Sequence, residues 1–362
     1  MSFASAIRSL DLTHGTLDFP IFLPDATRGV VRAIDSADLE SVGTTGLVMS
    51  TFHLMQHPGS TVIKQHGGLH RFANWRHPLV TDSGGFQVWS LVHQNPKVGS
   101  LSEKGMVYHA EDGSKYNLTP EKSIQLQVSY GSDIVFCLDD CTHVDDAEAV
   151  QVDAVRRTIK WAKRCREEFD RLIDQKRLEK PPLLFGVVQG GGIRELRKQC
   201  AEALLDIGFD GYGYGGYPLD GAGHLVTDII AYVRELIPPQ YPIHALGIGH
   251  PQNVVDSYRL GYSIFDSALP TRDARKGRLY RFKDVPAITP GRWFEYVYIE
   301  DKKHIKDTEP ISPYCDCAAC AGYSLSYLQH LYRIGDALYM RLATIHNLRF
   351  MNQVIDLLRA HG

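Results

Sequence analysis

The sequence has no stretch approaching ~18 uninterrupted apolar residues, which excludes a helical membrane span. Its opening residues, MSFASAIRSLDLTHG, lack the apolar core of a secretory leader, and a cytoplasmic chain is expected. An excess of one charge is missing too: 39 Lys and Arg face 42 Asp and Glu, a net charge of −3. Overall charge therefore drives it toward neither nucleic acid nor an acidic membrane, and any polyanion must meet a local basic patch. A disulfide framework is also absent, because the seven cysteines are odd in number. Cys137, Cys141, Cys165 and Cys200 are scattered, which suits a reducing compartment, whereas Cys315, Cys317 and Cys320 cluster, which suits a metal. Neither an internal repeat nor a low-complexity linker breaks the chain.

What is present is enough chain for one large α/β domain or two ordinary ones: 362 residues, 44% of them apolar. Eight short apolar runs, each bounded by turn residues, cover 20–24, 46–51, 79–83, 133–139, 183–189, 211–216, 243–249 and 263–269. Most are continuous rather than alternating, as in LLFGVVQ and DIVFCLD, the pattern of strands buried on both faces. Helical segments lie between them. Thr119 and Pro120 predict a helix start that runs to Gly131. Val152, Val155, Ile159 and Ala162, and then Leu196, Cys200, Ala203 and Ile207, predict core-facing stripes. Eight buried strands alternating with helices predict a (β/α)8 TIM barrel, with a doubly wound sheet as the competing architecture. Long gaps after Asp82 and Asp139 predict insertions. The first contains VYHAEDGSKYNL, whose Asp112-Gly113 pair predicts a small hairpin. The expected organisation is a barrel over 1–284, followed by an appended unit over 285–362 whose long helical stretch from Leu325 completes the barrel.

In a parallel barrel the residues that close each strand face the active-site mouth. Here they are Asp82, Asp139, Gln189, the Gly215-Gly216 pair, Gly247 and Asp266. A lone Asp at a βα turn is as well explained by helix capping, but three at corresponding strand ends point to a site. Paired carboxylates suit glycosidic chemistry, one attacking the anomeric carbon and the other moving a proton at the leaving group. An ionised Asp can also accept both N–H donors on one edge of a guanine-like base, with Gln or a backbone N–H left for the adjacent carbonyl. The Cys315-Asp-Cys317-Ala-Ala-Cys320 cluster, with His346 in TIHN, matches a closed tetrahedral zinc shell that is structural rather than catalytic; His330 is the other histidine nearby. Directly after the eighth run come Arg272, Arg275, Lys276 and Arg278, placed for phosphate contact at the mouth.

These motifs resemble the tRNA-guanine transglycosylases of queuosine biosynthesis, in their bacterial and eukaryotic form rather than the archaeal one with its extra C-terminal RNA-binding region. The resemblance rests on STFHL (50–54) with HPG after it, TDSGGFQV (81–88), GSDIVFCLDDCT (131–142), VVQGG (187–191), IGFDGYGYGG (207–216), FDSALPTRDAR (265–275) and CDCAAC with TIHN. It implies a (β/α)8 barrel with a zinc subdomain, and exchange of guanine at the tRNA wobble position for a 7-deazaguanine, either queuine or its aminomethyl precursor. It further implies Asp266 as nucleophile, Asp82 as general acid/base, Phe86 as the stacking aromatic, and Asp139, Gln189 and Gly216 as base readers. RNA contacts are implied at Gly247, His250, Asn253, Thr271, Arg272 and Arg275, and the family's habit implies a homodimer. The chain departs from its bacterial relatives in the loop YPLDG (217–221), where Asp220 lies beside the expected acidic position, and at Leu246 and Ser267. A non-catalytic tRNA-binding subunit is the second reading, opposed by Asp82 and Asp266. A TIM-barrel glycoside hydrolase is the third; it has no use for Asp139 and Gln189.

Overall fold

In a computed structural model the eight apolar runs form one parallel sheet. The structure describes residues 7–110 and 112–361; residues 1–6 of the expected barrel unit and Glu111 of the expected hairpin lie outside the described residues. The strands are β1 (Ile21–Pro24), β2 (Leu47–Ser50), β3 (Leu79–Asp82), β4 (Ile134–Phe136), β5 (Leu183–Val188), β6 (Gly211–Tyr214), β7 (Ile243–Ala245) and β8 (Ile264–Ser267). From β2 to β8 each pairs in parallel with the next, and β8 returns to β1 with Ile264 opposite Ile21 and Ser267 opposite Pro24. The ring is drawn together between β1 and β2, where Asp25 bridges Val48 and the Ala26 N–H donates to the Val48 carbonyl at 2.7 Å. This is the barrel rather than the doubly wound sheet.

The continuous apolar runs reflect two cores served by alternate residues. Ile21, Leu23, Val48, Val80, Ile134, Phe136, Phe185, Val187 and Ile264 fill the barrel interior. Their neighbours Phe22, Val135, Leu184 and Val188 pack outward with the helices. An N-terminal hairpin, Ser9–Leu12 with Gly15–Asp18, adds Leu12 and Leu17 to the inner cluster. Buried Asp133 pins that hairpin by accepting from the backbone N–H of His14 (3.2 Å) and of Leu79 (2.9 Å). His14 and His70 also meet Asp133, but their rings stack at 3.5 Å and 18°. Nitrogen lone pairs lie in the ring planes, so stacked rings do not converge on a metal; the group is a structural clasp.

The helix Pro120–Tyr130 forms as its ends dictate: the Thr119 hydroxyl accepts the Lys122 N–H at 3.1 Å, and Gly131 stops the helix at φ 76°. The hairpin around Asp112-Gly113 pairs Gly105–His109 with Lys115–Leu118, and a third strand, Gly99–Ser102, extends it. The gap after Asp139 holds no comparable insertion; most of it is one 29-residue helix, Glu148–Lys176. Val152 is exposed on that helix, whose true inner stripe runs through Gln151, Ala154, Val155, Thr158, Trp161 and Cys165.

After β8 come the helix Leu269–Arg275 and a hairpin of Arg278–Phe282 with Phe294–Tyr298, which crosses the division at 284/285. The stretch from Leu325 is two helices rather than one, because Gly335 takes a left-handed conformation between Leu325–Ile334 and Ala337–His361. The closing helix Ala337–His361 lies against Leu269–Arg275 and β1. It is laced to the chain's early residues: Arg359 donates to the carbonyls of Pro20 (3.0 Å) and Asp18 (2.7 Å), and Asn352 to that of Val42 (2.8 Å). Among the described residues no helix is long and apolar enough to cross a membrane.

Candidate active site and metal centre

One cavity of about 440 Å³ opens at the C-terminal ends of the strands, and Asp82, Asp139, Asp266, Phe86 and Gly216 all line it. Asp82 ends β3 and is held by three donors: the Thr51 and Gly84 N–H groups, each 3.0 Å from Oδ1, and the Gln87 amide, 2.7 Å from Oδ2. Burial outweighs these bonds and pushes its carboxyl up to about 7. Asp266 sits on β8. Its Oδ1 accepts from His244 Nε2 at 2.8 Å and from the Gly247 N–H at 2.9 Å. Asp266 itself lines the cavity.

Asp139 follows β4, and burial pushes its carboxyl up to about 6. Gln189 donates to its Oδ2 at 2.7 Å and the Ser83 hydroxyl lies 3.3 Å from its Oδ1. Gln189 is fully buried and is not on the cavity wall, so it meets the site through Asp139 rather than directly. The reason lies on β6, where glycines alternate with tyrosines. A Cβ on Gly211 would fall 2.4 Å from the Phe185 ring, and one on Gly215 would fall 2.6 Å from Gln189 Nε2. Side chains from β5 thus occupy the room that β6 leaves empty, while Tyr212 and Tyr214 pack outward. Gly215→Ala is expected to push Gln189 off Asp139 and to crowd buried Val187, whose Cγ1 such a Cβ would meet at 2.6 Å, at a cost of about 1–3 kcal/mol, read as a lower melting temperature.

The remaining predicted residues divide. Gly247, His250, Asn253 and Arg272 reach the cavity wall. The Gly247 N–H is taken by Asp266, and His250 Nε2 lies 2.9 Å from the Tyr296 hydroxyl. Thr271 is buried, its hydroxyl donating to the Ala268 carbonyl at 3.1 Å. Arg275 is half-buried; burial, with Arg32 and Arg272 beside it, holds its pKa below the usual arginine range. Arg278 is committed to Asp273 at 2.6 Å. Asp220 does not line the cavity, because its Oδ1 accepts the N–H groups of Ala222 and His224 within its own loop. Tyr217, Pro218 and Leu219 line that side instead.

Three kinds of residue escape the reading of strand ends. Asp25, one residue beyond β1, lines the cavity; Thr27 donates to its Oδ1 at 2.6 Å, and burial pushes its carboxyl up, with the Asp266 charge adding to the effect. His244 lies within β7 and holds Asp266. Exposed Arg28 and Arg32 join Arg272 and Arg275 in a cationic margin beside the mouth. The sequence signals were present, a carboxylate just past an apolar run and a histidine inside one, but neither occupies the last position of its run.

In the metal centre, Cys315, Cys317, Cys320 and His346 place one ligand atom each within 4.8 Å of one another. His346 Nδ1 lies 3.3 Å from Cys320 Sγ and 3.7 Å from Cys317 Sγ. Its Nε2–H donates to the Tyr280 carbonyl at 2.7 Å, which fixes the tautomer and turns the Nδ1 lone pair toward the sulfurs. The four residues fit a metal ion. His330 is exposed and stands outside the group.

The model of the family described as queuine tRNA-ribosyltransferase matches residues 5–361. Proteins of that name from Shewanella frigidimarina and Pseudoalteromonas translucida are each 38% identical to this chain over 347 residues, covering 96% of it and 87% and 86% of their own lengths. A homologue from Shewanella baltica is 37% identical over the same span. With a match across nearly all of its length, the chain belongs to the queuine tRNA-ribosyltransferase family.

Proposed function

We propose that the chain is a tRNA-guanine transglycosylase, which replaces the guanine at the tRNA wobble position with a free 7-deazaguanine, queuine or its aminomethyl precursor. The observation that carries this reading is one cavity lined at once by Asp82, Asp139 and Asp266, two carboxylates for the exchange and a third to read the base. Asp266 Oδ2 attacks C1′ of the nucleoside; a C–O bond forms as the C–N glycosidic bond breaks, and the guanine departs with the proton of Asp82. The Asp82 carboxylate then takes the N9 proton of the incoming base, which attacks C1′ and releases Asp266. Asp139 reads the purine's N–H edge, Gly216 supplies a backbone N–H to its carbonyl, Gln189 positions Asp139, and Phe86 offers a half-exposed ring for stacking. Arg28, Arg32, Arg272 and Arg275 are the cations we assign to RNA phosphates, so binding weakens with salt.

The metal in this reading is zinc, held by three soft thiolates and an imidazole with no open position, and it supplies structure rather than chemistry. The base-exchange barrel occupies 1–284 and the metal-binding unit 285–362, with the hairpin straddling the division. Homodimer formation fits the exposed, stacked Tyr323 and Tyr327 on that unit. The tRNA substrate and the scattered thiols both suit the cytoplasm.

The test is exchange of labelled guanine into a wobble-guanine tRNA, chased with the competing 7-deazaguanines. No incorporation by the wild type would overturn the reading. For the free enzyme, kcat/KM of guanine displacement is expected to be bell-shaped. Below about 6 Asp139 is protonated and cannot accept both base N–H groups. Above about 7 Asp82 has lost the proton it must give. Asp139→Asn should remove the acidic limb; a limb that survives the substitution excludes Asp139 as its source.

A further inference from the structure

The role of Asp25 follows from its place on the rim. It comes directly after β1, whose Pro24 stands opposite Ser267, the neighbour of Asp266 on β8. On its other side Asp25 bridges Val48 of β2. It therefore lies beside the nucleophile's strand, whereas Asp139 and Gly216, after β4 and β6, stand on the opposite wall. A purine whose N–H edge and carbonyl face β4 to β6 points its glycosidic nitrogen away from them, toward β8, β1 and β2. The sugar then occupies the Asp25 side of the cavity, with C1′ over Asp266. Much of the wall there is apolar, including Val48, Ala268 and Leu269. The Thr27 hydroxyl donates to Asp25 Oδ1, which restrains the carboxyl's rotation, while Asp25 itself lines the cavity. A third carboxylate beside two others is costly to keep; Thr27 and the charge of Arg275 offset part of that cost, and a ribose hydroxyl placed on this side would offset more.

We propose that Asp25 is a specificity-determining residue for the sugar, which hydrogen-bonds the 2′-hydroxyl of the target nucleoside and sets a preference for RNA over DNA at that position. The proposal rests on the base-exchange reading. The 2′-hydroxyl marks RNA chemically, and hydrogen bonds to the hydroxyl next to the reacting carbon tighten as positive charge develops there.

The experiment measures kcat/KM on two stem-loop RNAs that differ only in guanosine or 2′-deoxyguanosine at the exchanged position. The wild type is expected to favour guanosine by about tenfold or more. In Asp25→Ala that ratio should fall to within about twofold of unity, with Asp25→Asn between the two. Thr27→Val, which frees the carboxyl to rotate, should lower the ratio without touching the carboxylate, and it serves as well if Asp25→Ala does not fold. Metal content and melting temperature report folding for each variant. Equal exchange of both RNAs by the wild type, or an unchanged ratio in Asp25→Ala or Thr27→Val, would overturn the role of Asp25 alone. Failure of the wild type on both RNAs would overturn the base-exchange reading and this proposal with it.

Discussion

Asp266→Asn is expected to lower guanine exchange by at least about a thousandfold, roughly 4 kcal/mol of transition-state stabilisation, while the protein stays folded. An amide oxygen is a poor nucleophile toward C1′, so no covalent glycosyl-enzyme should form. The substitution is otherwise gentle: His244 Nε2–H and the Gly247 N–H can still donate to the Asn carbonyl, as they do to Oδ1. It also removes one charge from a cavity lined by Asp25 and Asp82, so the melting temperature should hold or rise. Single-turnover exchange and a denaturing gel for protein-linked RNA check both parts. Exchange that survives the substitution would remove Asp266 from the nucleophile's role.

Cys317→Ala is the change with the largest expected effect on stability. Cys317 is buried, and its loss leaves two thiolates and one imidazole for an ion that wants four ligands. His346 lies on the closing helix beside Asn347, whose side chain accepts from the Tyr280 N–H and donates to the Pro270 and Arg278 carbonyls. The metal loop is thus tied through that helix to Leu269–Arg275, the segment that follows the nucleophile. Metal content should fall from one equivalent to near zero, and the melting temperature by more than about 10 °C. Unchanged metal content in the purified variant would contradict the assignment. Exchange should fall in proportion to the loss of folded protein, whereas Asp266→Asn lowers it in protein that stays folded.

The barrel was legible because most of its strands are buried on both faces, and eight apolar runs bounded by turns, most of them continuous, suit few folds besides a parallel sheet covered by helices. The same logic exposed Asp82, Asp139 and Asp266, since a carboxylate ending such a run is conspicuous. It failed where the decisive neighbour lies far away in sequence. Nothing near Gln189 says that Gly215, just past the end of the next strand, leaves room for its side chain to bond to Asp139. Thr271 sits in a basic run, yet its first helical turn folds it inward. Asp220 has the right charge, but two backbone N–H groups of its own loop claim it first. Gly99–Ser102 carries too little apolar patterning to announce a strand and forms one because Gly105–His109 offers an edge. Asp25 falls one residue past its apolar run, where composition draws no attention.

The lacing of the closing helix to early residues bears on how this chain reaches its native state. Ile21–Pro24 finds its partner on one side only at Ile264–Ser267, and the backbone around Pro20 is tied to Arg359. Contacts of that sequence separation give high contact order, which slows folding. A ribosome extends the chain from its N-terminus, so the first barrel strand waits with an unpaired edge until Ile264–Ser267 has emerged, well into the second half of the chain. The seam that completes the mouth around Asp25 and Asp266 is therefore the last part of the sheet to form.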